Sequence, residues 1–286
     1  MNTFQRMIKY SAIAFAVFLS VMIISGIASA VFAIVNILPG TAIRTGNWKN
    51  NETIDFSQTY TDVKSLYINH STGKLNIRVG DEFRVEAANV PESFKASVNN
   101  NGELTISESN DGIKFLWFTI GRIYNLKSQI TVYVPETFIA EKATLDAGAG
   151  NITIDGLHTK RLEINAGAGN IDGEGLTADK VSVDGGVGNV TLDDVKFTDA
   201  VFDCGVGKLD ISGSLIGDTD ISCGVGSVDL DLTGNVNNYS FKVDSGLGAV
   251  RLNGKKISGN HKANINAENM IQVDGGIGSV DISLDE

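Results

Sequence analysis

Positive charge is what this chain lacks most. Its 286 residues hold 23 Lys and Arg against 34 Asp and Glu. No acid precedes Glu52, whereas Arg6 and Lys9 stand near the start. The stretch from Thr41 onward therefore carries all 34 acids, 21 of the 23 bases and a net charge of −13. Phosphate backbones demand the opposite sign, which excludes nucleic acid as a partner. An acidic domain suits a cation-rich exterior but names no ligand. There are only 3 Pro, 3 His and 2 Cys, set against 32 Gly. No long amphipathic helical pattern follows residue 40, so the chain beyond it is not helical.

Charge is also absent from Tyr10 to Ile43. Residues Tyr10–Leu38 are apolar almost throughout. As a helix at ~1.5 Å per residue they would span about 43 Å, more than the ~30 Å hydrocarbon core. The run reads as an uncleaved transmembrane anchor that tilts or leaves one end in the interface. A cleaved signal peptide ending at Ala28-Ser29-Ala30 is the competing reading, but the apolar run continues well past it. Arg6 and Lys9 place the N-terminus inside and residues 41–286 outside. Leu38-Pro39-Gly40-Thr41-Ala42 looks like a cell-wall sorting signal, yet it follows its apolar stretch instead of preceding one. Pro39-Gly40 is read as a helix stop.

The organisation expected is a cytoplasmic segment 1–9, an anchor 10–38, a tether 41–57, an irregular β-rich section and cap 58–144, and a regular section 145–286. Candidate strands in the irregular section are Lys64–Asn69, Lys74–Val79, Glu82–Ala88, Phe94–Val98, Glu103–Ser107 and Gln129–Val134. Across the regular section a single frame recurs seven times: apolar, Asp/Asn/Ser, small, Gly, apolar or Ala, Gly, any, apolar. Its first glycines are Gly148, Gly167, Gly186, Gly205, Gly224, Gly246 and Gly276. Its second glycines are Gly150, Gly169, Gly188, Gly207, Gly226, Gly248 and Gly278, spaced by 19, 19, 19, 19, 22 and 30 residues. A period near 20 marks stacked repeats, not a phosphate loop, which is needed only once. Ser71-Thr72-Gly73-Lys74-Leu75-Asn76-Ile77 is a worn copy of the frame.

Apolar residues alternate on both flanks of each Gly-x-Gly, for example Leu162/Ile164 before and Ile171 after. Period-two alternation predicts two half-buried strands per repeat, joined at a glycine corner. A row of antiparallel hairpins or a parallel β-solenoid would fit. In-register small, apolar and acidic columns favour an all-β, single-stranded parallel β-helix with coils of about 19 residues. The 22- and 30-residue spacings read as loop insertions at Thr233–Tyr239 and Asn253–Glu268, with Gly278 in the last coil of the series.

This tandem frame, the preceding Val132-Tyr133-Val134-Pro135 and the N-terminal apolar span resemble the putative adhesin family. That is a bacterial extracytoplasmic β-strand-repeat domain of unknown function, found in Gram-positive envelope proteins and including LiaG-like proteins. The resemblance covers about residues 60–286. It implies an extracytoplasmic β-helical surface module with no catalytic residues, and "adhesin" is a fold-level label.

Several groups of residues could carry chemistry. Asp146, Asp184, Asp203, Asp244 and Asp274 share one column with Asn165 and Ser222, and form a candidate calcium ladder. Asp and Asn also favour corners for their own hydrogen bonds, and that reading is preferred. The aspartate that a calcium roll requires is replaced by an apolar residue in every copy. Cys204 and Cys223 stand 19 apart in a small-residue column. Adjacent strands permit a disulfide without requiring one, and a buried thiol pair is expected. His70, His158 and His261 share no repeat column with the cysteines or with one another, which argues against a metal site. Phe115, Leu116, Trp117 and Phe118 lie in the densest apolar stretch outside the anchor. They are expected to cap the solenoid; contact with a partner or the bilayer is the alternative. No coil concentrates Asp, Arg, Lys and His unlike its neighbours, so no enzyme and no cofactor is expected. Arg251, alone among Thr153, Asp172, Thr191, Asp210, Asp229 and Asp281, reads as a solvated charge.

The function expected is a membrane-anchored surface binding or scaffold module of the cell envelope. The alternatives are an accessory sensor in an envelope-stress response and, last, a glycan-active enzyme. The partners expected are the bilayer, through residues 10–38, and an envelope glycan or membrane protein.

Overall fold

In a computed structural model the described residues are 53–108, 113–115, 118–120, 127–257, 260–263 and 267–285. The expected anchor and the cytoplasmic segment lie outside them. Among the described residues no helix is long and apolar enough to cross a membrane. The fold of the described residues is all-β; apart from strands they hold one short 3₁₀ turn, Val236–Asn238.

Alternating apolar residues make each repeat a pair of strands with one buried face, and equivalent strands of successive repeats pair in parallel. Ala143 stands beside Leu162, Leu162 beside Val181 and Val181 beside Ala200, each 19 residues on. After the corner, Ile152 stands beside Ile171 and Ile171 beside Val190. These columns are buried and form one core with their neighbours along the stack. The chain is therefore a parallel β-solenoid. The worn copy is a true coil, since Gly73 stands beside Gly150 and Leu75 beside Ile152.

The corner explains the glycines. Gly188 has φ +146°, and a Cβ there would overlap the carbonyl oxygen of Gly169 in the coil below. No side chain fits that approach, whatever its φ preference. Beside the corner runs an asparagine ladder at the position that looks unconstrained in sequence. Asn151 Oδ1 accepts from the Asn170 amide at 3.2 Å, and Asn170 Oδ1 from the Asn189 amide at 3.1 Å. A second corner follows, where Gly156 (φ +71°), Gly175 (φ +65°) and Asp194 (φ +51°) recur at the same period.

Nine coils stack among the described residues, and their order differs from the chain order at both ends. Coil 1 is Glu103–Glu108 with Gln129–Pro135; coil 2 is Ser65–Gly80, earlier in sequence but deeper in the stack. Coils 3 to 7 carry Gly150, Gly169, Gly188, Gly207 and Gly226 in chain order. Coil 8 is Asn269–Ile277 with Val280–Asp285, and it stacks directly on coil 7: Ile221 beside Val273, Val228 beside Val280. Coil 9 is Tyr239–Leu247 with Val250–Leu252, and it stacks on coil 8, with Val243 beside Val273.

The place of Gly278 is therefore a correction. It is the last corner glycine of the chain but not the last of the stack. A Cβ on Gly278 would overlap the carbonyl oxygen of Gly226, and a Cβ on Gly248 would overlap that of Gly278. Gly278 thus lies between Gly226 and Gly248, because the strands around it fill the gap that the chain leaves when it passes from coil 7 to coil 9.

The long spacings, correspondingly, are not loop insertions in serially stacked coils. The segment around Val236–Asn238 vaults over the future place of coil 8. The segment after Asn253 supplies antiparallel strands Lys255–Ile257 and Asn260–Ala263, which cover the outer edge of coil 9. At the other end Phe83–Pro91 and Phe94–Val98 run antiparallel to coil 1 and cover its edge. Both ends therefore close with antiparallel strands, which removes the exposed parallel edges that invite aggregation.

Candidate functional site

The residue between the two corner glycines cannot point inward, because the glycines turn the chain around it. Ala149 stands beside Ala168, Ala168 beside Val187 and Val187 beside Val206. Val225 stands beside Ile277 and Ile277 beside Leu247. In spatial order coils 5 to 9 present Val187, Val206, Val225, Ile277 and Leu247. All five are exposed, from 43% at Val206 to 70% at Leu247. They form an aliphatic ridge along one edge of the solenoid. Single exposed aliphatics need no explanation, but a row of five on adjacent coils does.

Carboxylates line one flank of this ridge three residues earlier on the same coils. Asp184 stands beside Asp203, and Asp274 lies between Ser222 and Asp244. The expected ladder is therefore broken into two neighbouring pairs by Asn165 and Ser222. At its other end Asn165 donates to Asp146 Oδ1 at 2.6 Å. Among the described residues no group of three or more His, Cys, Asp and Glu is placed to hold a metal ion. Between the outer coils the flank opens into a groove of about 860 Å³ lined by Ser222, Asp244, Ser245 and Asp274.

The strands after the corner carry further acids on their outer face. Lys208 Nζ bridges Asp210 at 2.6 Å and Asp229 at 2.9 Å on adjacent coils. The hydrogen bonds that Lys208 donates, to Asp210 first and Asp229 second, raise its pKa. Arg251, the odd residue of its column, meets Asp281 on the next coil at 3.0 Å. Both cations offset like-charge stacking that parallel register would otherwise leave uncompensated.

A polar node that sequence reasoning missed joins coils 1 and 2. His70 Nδ1 lies 3.1 Å from Glu108 Oε1, and the Ser71 amide donates to Glu108 Oε2 at 3.3 Å. Ser128 Oγ lies 3.4 Å from His70 Nε2 and donates to the Thr72 carbonyl. His70, Glu108 and Ser128 are all buried, His70 to 1% exposure. A serine, a histidine and a carboxylate in contact suggest a nucleophile. Here the serine is closed off and spends its proton on a backbone carbonyl, so the node braces two coils. The histidine's position corrects an expectation. His70 stands beside Ala147, which leads through Ala166 and Gly185 to Cys204, so it does share the cysteine column. Three coils still separate it from Cys204.

Cys204 and Cys223 are buried free thiols. Burial, then the neighbouring Cys223, Asp203 and Asp184, push the Cys204 pKa up to about 12. Burial raises that of Cys223 as well. Both thiols are therefore poor nucleophiles. In place of a corner, coil 1 carries the apolar insertion. Its Ile113–Phe115 and Phe118–Ile120 pair as an antiparallel ribbon with Phe115 opposite Phe118, in a sheet of their own. Leu116 and Trp117 lie outside the described residues. The edge that this stretch was expected to cap is covered by Phe83–Pro91 and Phe94–Val98.

The family model described as Toastrack DUF4097 matches residues 58–282. The chain belongs to that family. No curated protein matches it. Among solved structures it is similar to a putative cell adhesion protein from Clostridium sporogenes ATCC 15579, at 19% identity and a TM-score of 0.41, covering 82% of this chain and 100% of that one. It is similar also to a putative adhesin from Bacteroides fragilis NCTC 9343, at 16% identity and a TM-score of 0.41, covering 82% and 98%. A putative adhesin from Parabacteroides merdae ATCC 43184 shows 13% identity and a TM-score of 0.38, covering 83% and 98%.

Proposed function

We propose that this member of the Toastrack family is a binding and scaffold module of the cell envelope, held by residues 10–38 in the membrane with residues 41–286 outside. The observation that carries the binding role is the aliphatic ridge from Val187 to Leu247, which a protein without a partner has no reason to expose. The anchor rests on the charge-free run Tyr10–Leu38, and its orientation on Arg6 and Lys9. No catalytic role is proposed, because the one serine–histidine–carboxylate array found among the described residues is buried and closed. The adhesin label is a fold-level description and specifies no ligand.

The test uses full-length protein in native membranes. Protease added from outside should remove residues beyond 41 and leave an N-terminal tag protected. Retention on purified envelope material should follow the exterior part. Degradation of the tag with survival of the solenoid would overturn the orientation. Absence of any retained envelope protein or glycan would overturn the binding role.

A further inference from the structure

We infer that the corner ridge is a docking track for a cationic amphipathic helix, which lies along the solenoid axis with its apolar stripe on Val187, Val206, Val225, Ile277 and Leu247. This rests on the binding role proposed above and names the partner's chemistry. The first argument is spacing. Successive coils rise by ~4.8 Å, and one helical turn by ~5.4 Å. Each turn therefore meets about one coil. Over the four intervals between Val187 and Leu247 the mismatch adds up to only about 2.4 Å, less than half a turn. A helix of about 13 residues covers the track, with apolar residues at i, i+3, i+4 and i+7.

The second argument is charge. Four of the five coils that offer a ridge aliphatic also offer a carboxylate three residues earlier: Asp184, Asp203, Asp274 and Asp244. Among the described residues none of these four is in a salt bridge. The open groove of about 860 Å³ beside coils 7 to 9 has Asp244 and Asp274 in its lining. Lysines or arginines flanking a helix's apolar stripe would lie over that line of acid. A second copy of the chain would instead bring acid against acid, with a net charge of −11 on each. A bilayer would have to strip water from the same carboxylates.

The ridge is also graded. Coils 3 and 4 place only Ala149 and Ala168 at the ridge position, and coil 2 places Thr72. The track therefore ends at Val187 and has a definite length, as a site for a short helix requires.

The test uses the full-length chain in nanodiscs of zwitterionic lipid, with empty nanodiscs as the baseline. The probe is a fluorescent leucine–lysine peptide of about 14 residues patterned as an amphipathic helix. Its controls are a scrambled peptide of equal composition and a leucine–glutamate analogue. The patterned peptide should bind saturably and gain helicity. Val206→Thr with Ile277→Thr should weaken it at least tenfold, and Asp203→Asn with Asp274→Asn likewise, the latter with a reduced salt dependence. Equal binding of the scrambled peptide, binding of the glutamate analogue, or undiminished binding to either double variant would overturn the inference. Concentration-dependent dimerisation abolished by Val206→Thr with Ile277→Thr would give the ridge to a second copy and also overturn it. Retention of both double variants on envelope material, together with failure of the peptide to bind, would sink the helix track alone and leave the envelope role standing.

Discussion

The middle of this solenoid and its two ends are built from the same strands, yet they solve different problems. Coils 3 to 6 repeat a 19-residue frame in chain order, and the buried columns beside the Gly-x-Gly corner stay apolar or small from coil to coil. At the ends the order changes: coil 2 precedes coil 1 in the chain, and coil 9 precedes coil 8. A purely serial solenoid ends on a naked parallel edge. At the C-terminal end the chain runs out to coil 9, folds an antiparallel cover over it and returns to fill the place of coil 8. At the N-terminal end it builds the cover after coil 2 and then lays coil 1 between the two. Repetition supplies the core, and departures from it close the ends, build the buried polar node and place the groove beside coils 7 to 9.

The contrast is broken most severely at a middle corner. Gly188→Val would drive a branched side chain into the Gly169 carbonyl, at a φ of +146°. It should cost more than about 4 kcal/mol and abolish cooperative melting. Gly254, in the cover at the far end, has φ +73° with nothing within 4 Å of a Cβ. Gly254→Ala should cost only about 1 kcal/mol. Urea titrations of the two variants compare a corner that nothing can enter with a turn that needs only its φ. Similar losses would mean that the corners tolerate rearrangement.

Next in size is the polar node. His70→Leu leaves the buried Glu108 without its imidazole partner and should cost about 3 kcal/mol. His70→Leu with Glu108→Leu should recover most of that, since no unpaired charge remains. A double variant as unstable as the single one would show that the node does more than brace coils 1 and 2.

The smallest effect has the opposite sign. Thr219 is buried in a core column beside Ile271, and its hydroxyl has no partner among the described residues. Thr219→Val should raise stability by about 1 kcal/mol, visible as a higher melting temperature. An unchanged or lower value would place a water or an unseen acceptor at that hydroxyl.

Much of the middle was legible in the sequence. Alternation marked the strands, the glycine pairs marked the corners, and identical spacing marked parallel register, because each of these is a local demand of the backbone. The second corner was equally legible in Gly156, Gly175 and Gly213, which keep the same period, but the stronger Gly-x-Gly signal hid it. The ends were not legible. The spacing of 30 residues before Gly278 says that chain has been added, and it does not say which edge the next strand will join. That choice is made by tertiary contact between coils 7, 8 and 9. The His70 node was hidden for the same reason, since Glu108 and Ser128 meet it from a coil whose corner the frame does not describe. The ridge was visible as the apolar position inside each frame. Only the stacking order showed that five of those residues form one row.

Stacking order at the C-terminal end is therefore the claim to test. With Cys204 and Cys223 replaced by alanine, two cysteine pairs can be placed in the outward column formed by Asp229, Asp281 and Arg251. Asp281 stands beside both Asp229 and Arg251. Neighbouring coils lie ~4.8 Å apart, within disulfide range, whereas alternate coils at about 10 Å lie beyond it. Asp229→Cys with Asp281→Cys should oxidise readily, and Asp229→Cys with Arg251→Cys should stay reduced. The reverse pattern would mean that the coils stack in chain order and that the crossed-over end does not exist.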